Sequence, residues 1–369
     1  MPAARWVALV VLIAFAGRFL AGDALRDGAA EAERGPFSFA PGAEVPVGLL
    51  VTLERAPDEE AGFGADGWTV AGEAFAASTS RHAALASLLS GDAPPVHGCR
   101  VDGERPGAVF EALTETLVRA GVEVRTHGGD RLPAWAGRGV DGGEGGLREA
   151  TAWLTSGDGP RFAHVHAEEL DLGALEEAAA RLEGAALVVT SLPEPVQGEE
   201  EARFLGPEAG RVLLAWRGPR SESTGEGGAG RPRSQLEIAP TLFDWLGARV
   251  GSAPDVPGPI PRLDEELVEA DASGPRGLVV TFEHRTDGRP HLVRARTPQG
   301  TLDVEATPLD PPTAQRPVAD WALLGPTQDH VAYRNALRVA PQEGAADADS
   351  LVRWLAEWME AIGVPKDGR

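Results

Sequence analysis

Apolar residues run almost unbroken from Val45 to Leu53, in the order Val-Pro-Val-Gly-Leu-Leu-Val-Thr-Leu, and the first charge after them is Glu54. A run that is apolar at both odd and even positions predicts a strand covered on both faces, as in the middle of a parallel sheet. The pattern then changes period. His82–Leu89 and Ala108–Ala120 carry apolar residues at helical spacing, the second closed by Gly121 as a C-cap. Val122–Thr126, Phe162–His166, Ala186–Thr190 and Arg211–Trp216 read as strands, and Leu147–Leu154, Leu172–Leu182 and Ile238–Leu246 as helices, the last with Pro240 in its first turn. The stretches 127–146 and 218–233 read as loops. Strand–helix alternation through residue 246 predicts an α/β fold with a doubly wound, mostly parallel sheet flanked by helices.

Past the Pro-rich stretch 253–261 the alternation stops. Gly277–Glu283, His291–Thr297, Thr301–Glu305 and Val331–Val339 are strand-like and close in sequence, and Asp349–Ile362 is amphipathic. A small antiparallel sheet with a terminal helix is expected there. At the other end, Arg5 precedes the apolar run Trp6–Gly17, which Arg18 breaks. That run is shorter than the roughly 20 residues a span needs. It suits the core of a signal peptide with Ala14-Phe15-Ala16 before the cut, or alternatively an uncleaved anchor. The expected organisation is a signal peptide or N-terminal anchor over 1–24, a linker over 25–44, the α/β domain over 45–262 and a small α+β subdomain over 263–369. Export follows, to the periplasm, the cell envelope or the outer side of a membrane.

Composition narrows the partners. The net charge of −22 excludes a nucleic-acid role, which needs a cationic face to release phosphate counterions. What remains is a protein or a small anionic ligand, with one N-terminal membrane anchor as an option. The basic residues are nearly all arginine: Lys366 is the only lysine and Asn335 the only asparagine. A mechanism that needs a buried lysine or an asparagine ligand in the α/β domain is therefore closed. The single cysteine, Cys99, forms no intrachain disulfide and fixes no compartment. The Gly-rich 137–146 lacks the Lys-Ser/Thr of a phosphate loop, and no Cys-x-x-Cys, His-Glu-x-x-His or Gly-x-Ser-x-Gly occurs.

Four segments, in order, carry a resemblance: VGLLVTLERAPDEEAGFGADG (47–67), SRHAALASLLSGDAPPVHG (80–98), AALVVTSLPEPVQGE (185–199), and VLLAWRGPR followed by LEIAPTLFDWLGA (212–248). Together they resemble the sulfatases of the alkaline-phosphatase-like superfamily, over about residues 45–362. The resemblance implies a strand ending in metal-binding aspartates, a nucleophile at a helix start, and a later strand running into Asp-His. Such chemistry needs a divalent cation on hard oxygen ligands and a hydroxyl nucleophile at a helix N-terminus. At the matching positions this chain has Glu54 and Arg55, then Leu192 and Pro193. The nucleophile falls on Arg81 or on Ala77, depending on which part of the motif is anchored, and neither can attack.

These departures imply a catalytically degenerate sulfatase-like protein that acts by binding or scaffolding and needs no cofactor. Its vestigial nucleophile region is Thr79, Ser80, Arg81 and His97, and its vestigial metal position is Glu54. The alternative is an active hydrolase of sulfate or phosphate esters with a rebuilt site, dependent on calcium or magnesium. Thr79 and Ser80 would then supply the hydroxyl, against their plainer role as helix caps. His164 and His166, two apart on a strand and so on one face, are the alternative metal pair. Asp58–Glu60 and Glu199–Glu201 read as solvated charges. Arg211, Arg217, Arg220, Arg231 and Arg233 read as a solvated loop or an anion-binding patch.

Overall fold

The computed structural model describes residues 47–57, 63, 67–107, 110–129, 131–137, 140–143, 145–194, 210–219, 231–247, 260–267, 274–284, 290–297, 300–305, 339–341 and 348–362. The N-terminal signal or anchor segment and the linker lie outside them. So do the two acidic runs, apart from their flanks, and most of the strand expected over Val331–Val339.

The strands of the α/β region are β1 (Val47–Leu53), β2 (Thr69–Val70), β3 (Ala74–Phe75), β4 (Glu123–His127), β5 (Asp141–Gly143), β6 (Arg161–Ala167), β7 (Ala186–Ser191), β8 (Leu214–Arg217) and β9 (Arg233–Ser234). Seven of them form one sheet in the order β2-β8-β7-β1-β6-β4-β5, and β3 pairs with β9 separately. From β7 to β5 every pairing is parallel, while β8 runs antiparallel to both β7 and β2. β1 is central. Leu50 points to one side, and Leu49, Val51 and Leu53 point to the other.

Helices cover both sides. The first side carries α1 (Arg81–Ser90), the short α2 (Pro94–His97), α3 (Leu113–Arg119) and, later in the chain, Ile238–Trp245. The second carries α4 (Leu147–Leu154) and α5 (Leu172–Arg181), with Trp153, Leu154 and Leu175 in its core. The helix Ile238–Trp245 is α6. α1 is built of small residues, Ala83, Ala84 and Ala86 among Leu85, Leu88 and Leu89, all buried in the core of the first side. Gly91, at φ +76°, ends it in the left-handed conformation that only glycine adopts without strain.

The C-terminal part is a four-stranded antiparallel sheet, β10 (Val279–His284), β11 (Pro290–Thr297), β12 (Gly300–Glu305) and β13 (Val339–Pro341), with α7 (Ala348–Ala361) upon it. Phe282 of β10 and Trp358 of α7 stack at 6.4 Å in a third core that also takes in Ala77, Ala93 and Leu236. β10 is also stitched to the segment leading into α1. The Phe282 amide donates to Ala77 O at 2.8 Å, the Thr79 amide to Phe282 O at 3.3 Å, and the Thr281 hydroxyl to Ala76 O at 2.9 Å. The C-terminal sheet thus fixes where α1 begins.

Candidate functional site

Parallel strands deliver their C-terminal ends to one edge, and ligands of open α/β sheets sit outside that edge. Here the ends of β1, β6 and β7 are tied together. The Glu54 amide donates to Ala167 O at 2.9 Å, and the Leu192 amide to Leu53 O at 2.7 Å. Glu54 and Leu192 therefore converge, as the family resemblance requires.

The N-terminus of α1 faces the same edge, and the side chain it sends there is Arg81. Its Nη2 donates to Glu54 O at 2.9 Å and its Nε to Pro193 O at 3.3 Å, while Nη1 lies 3.9 Å from Glu54 Oε2. Arg131 approaches from the loop after β4, with Nη1 2.7 Å from Glu168 Oε2 and 3.6 Å from Glu54 Oε1. Its hydrogen bond holds the Glu168 carboxyl below the usual glutamate range. His166 Nε2 stands 3.9 Å from Glu54 Oε1. Glu54 is thus ringed by two guanidiniums and an imidazole.

Beneath this ring the sheet carries a buried polar row. Thr52 pairs in register with His166 on one side and Thr190 on the other. The Thr52 hydroxyl lies 2.9 Å from His164 Nε2 and 2.8 Å from His166 Nδ1, so the two histidines do share a face. Burial, with His166 alongside, pushes the His164 pKa down to about 3 and keeps the ring neutral. Gln235 closes the row, its amide donating to Thr190 Oγ1 at 2.8 Å and to Ser191 O at 2.7 Å. One ring nitrogen of each histidine is spent on Thr52, so the pair does not present two free nitrogens to a common point. Among the described residues no group of three or more His, Cys, Asp or Glu side chains converges as metal ligands would.

The remaining residues singled out in the sequence are distributed otherwise. Ala77 is fully buried in the third core, so of the two nucleophile positions only Arg81 reaches the strand ends. Ser80 occupies the N-cap of α1 but makes no cap bond with its side chain. Its hydroxyl donates to Asp102 Oδ1 at 2.9 Å, and that same oxygen accepts the His82 amide at 2.9 Å, so Asp102 caps the helix from a neighbouring loop. Thr79 is half-buried, with its amide on β10. His97, placed with the vestigial nucleophile region, is buried and bonded within the fold. The Cys99 amide donates into Nδ1 at 3.1 Å, leaving Nε2 to donate to the Ser87 hydroxyl at 2.9 Å. Nor do Arg231 and Arg233 lie on a solvated patch; both are folded onto the buried Glu237 carboxylate. Arg217 donates to Ala179 O, and Arg220 lies outside the described residues. Arg131 and Asp102 carried no sequence signal, one in a Gly-rich loop and one in a plain Asp-Gly turn.

Gly128, just before Arg131, sits at φ +73°, and a Cβ there would come within 2.0 Å of His166 O. Gly128→Ala should cost about 1–3 kcal/mol in chemical denaturation, since neither backbone can yield without moving the end of β6. A variant as stable as wild type would show that this turn does not hold the site edge.

No family model matches the sequence, and no curated protein is similar to it. Solved structures do match in fold. BT4656, solved with its substrate D-glucosamine-2-N,6-O-disulfate, superposes with a TM-score of 0.55 at 11% identity, over 88% of this chain and 99% of its own. A sulfatase candidate from Bacteroides thetaiotaomicron superposes with a TM-score of 0.53 at 12% identity, over 81% of this chain and 96% of its own.

Proposed function

From the premise that this chain has the sulfatase fold of the alkaline-phosphatase-like superfamily, we propose that it is a catalytically degenerate member of that group and acts by binding. The observation that carries the reading is Arg81, one of the two positions matched to the nucleophile, whose guanidinium donates to the Glu54 and Pro193 carbonyls at the ends of β1 and β7. With the Arg81 guanidinium in place, the residues there do not fit a divalent ion. Glu54 offers one carboxylate, Leu192 and Pro193 are buried and apolar, and the carbonyls of Glu54 and Pro193 already accept from a guanidinium. A dication about 4 Å from that guanidinium would meet roughly 8 kcal/mol of repulsion at an effective dielectric of about 20. Without a cation, neither the ester oxygens nor a hydroxyl nucleophile would be stabilised.

The ligand best suited to this edge is a small anion or a protein side chain bearing one. Arg55 and Arg131 are exposed there, against a chain whose overall charge is strongly negative. Export, with residues 1–24 as signal or anchor, belongs to the same reading. Among the described residues no helix is long and apolar enough to cross a membrane. The test is turnover of aryl sulfates and aryl phosphates by the full chain, with and without calcium or magnesium. Activity no higher than a boiled control is expected.

One observation favours the rebuilt-hydrolase reading: the Ser80 hydroxyl lies on a carboxylate at a helix start. Metal-dependent turnover that disappears in Ser80→Ala or Thr79→Ala would establish it. Otherwise Ser80→Ala should cost about 0.5–1.5 kcal/mol, the loss of its hydrogen bond to Asp102, and no rate.

A further inference from the structure

The ends of parallel strands leave carbonyl oxygens beyond the sheet ladder, and those oxygens need a partner. At β1 and β7 the carbonyls beyond the ladder are Glu54 O and Pro193 O. Both are met from one edge of the Arg81 guanidinium, Nη2 on the first and Nε on the second. The third nitrogen, Nη1, faces the Glu54 carboxylate at 3.9 Å. Two carbonyls and a carboxylate converging on one positive group form the kind of hard-oxygen set that calcium also accepts.

We infer that Arg81 is a resident cation: its guanidinium occupies a cation-binding hollow between β1 and β7 and holds the two strand ends together in place of a metal ion. This rests on the metal-independent reading of the site and adds what took the metal's position. A guanidinium suits the place because it is planar, permanently charged and able to donate two parallel hydrogen bonds from one edge. Lysine would bring the charge without the paired donors, and methionine the length without the charge. The tether also has a direction. It runs from the first residue of α1, whose start is fixed by β10, so removing it frees the strand ends without dismantling the helix.

The experiment is thermal unfolding of the full-length chain and of Arg81→Ala, each titrated with millimolar calcium chloride or methylguanidinium chloride. Wild type should respond to neither salt. Arg81→Ala should melt about 5–10 °C lower, from the loss of a charge and two part-buried carbonyl partners. It should regain a substantial part of that shift with methylguanidinium, and a calcium response should appear that wild type lacks. Arg81→Lys should melt between wild type and Arg81→Met, and this comparison decides the matter if the alanine variant does not fold. Overturning results would be an alanine variant that melts with wild type, one indifferent to both cations, or equal melting of the Lys and Met variants. Ester turnover by a calcium-indifferent wild type would sink the non-catalytic reading and leave the resident cation standing. A cation-indifferent Arg81→Ala in an inactive protein would do the reverse.

Discussion

Acidification from about pH 6.5 to about pH 4.5 should remove about 5 kcal/mol of stability through two histidines alone. His97 and His164 are buried and neutral, each with its pKa pushed down to about 3. Burial is the main cause for both. His284 and Arg100 add to it at His97, and His166 adds to it at His164. The hydrogen bonds agree, since His97 Nδ1 accepts the Cys99 amide and could take a proton only by losing that bond. In the unfolded chain both rings titrate near their ordinary value of about 6.5. Below that pH the unfolded state takes up protons that the folded state refuses. The contribution is therefore complete above about pH 6.5, declines as the pH falls, and is exhausted near pH 3. Each ring loses about 1.4 kcal/mol per pH unit, which makes the two-unit loss large beside a typical total of about 5–15 kcal/mol. Urea unfolding across this range measures it, and His164→Gln should roughly halve the slope. A stability that stays level down to about pH 4.5 would mean that the histidines accept protons in place.

His164 also illustrates what the sequence could and could not disclose. Two residues on a strand share a face by the geometry of the pleat, and His164 and His166 do so. Nothing in the spacing announced Thr52 between them, because that contact depends on the register of a strand more than a hundred residues away. The same divide runs through the fold. β1 was legible because a strand buried on both sides is apolar at nearly every position, Thr52 being the exception, and α4 was legible to its end residues by its helical period. β2, β3 and β9 are two residues each, too short to show any period, and β5 is the Asp-Gly-Gly of a stretch that reads as loop. The reversal of β8 against β7 is a property of the connection, not of the residues Leu214–Arg217. At the site, the family resemblance put Glu54 and Leu192 at neighbouring strand ends and the nucleophile at Arg81 or at Ala77. It presented Arg81 only as a missing nucleophile. Its other role needs the length of the side chain and the position of two carbonyls, which become visible only when three elements are assembled.

Glu237→Ala is expected to be the most damaging single substitution away from the site edge. Its carboxylate is about 1% exposed and carries four hydrogen bonds. Oε1 accepts from Arg231 Nη1 at 2.9 Å and from the Ser234 amide at 3.0 Å, and Oε2 from Arg231 Nη2 at 2.9 Å and Arg233 Nη1 at 3.1 Å. Arg233 is itself 2% exposed and lies over the Trp216 ring at 5.4 Å. Burial pulls its pKa down, and Glu237 is the largest influence in the other direction. Removing the carboxylate would leave a desolvated guanidinium uncompensated, a loss of about 3–5 kcal/mol and on the order of 10 °C in melting temperature. The damage should travel to the candidate site, because Glu237 sets the turn that carries Gln235 to Thr190 and the ends of β7. Glu237→Gln keeps one acceptor oxygen and should fall between alanine and wild type. The sharper test is the double variant R233M/E237A, which removes the more deeply buried Arg233 charge together with its partner and leaves only Arg231, whose side chain is about 10% exposed. It should recover a large part of the stability lost in Glu237→Ala. If the double variant is no more stable than the single one, the carboxylate matters for shaping the turn and not for neutralising Arg233.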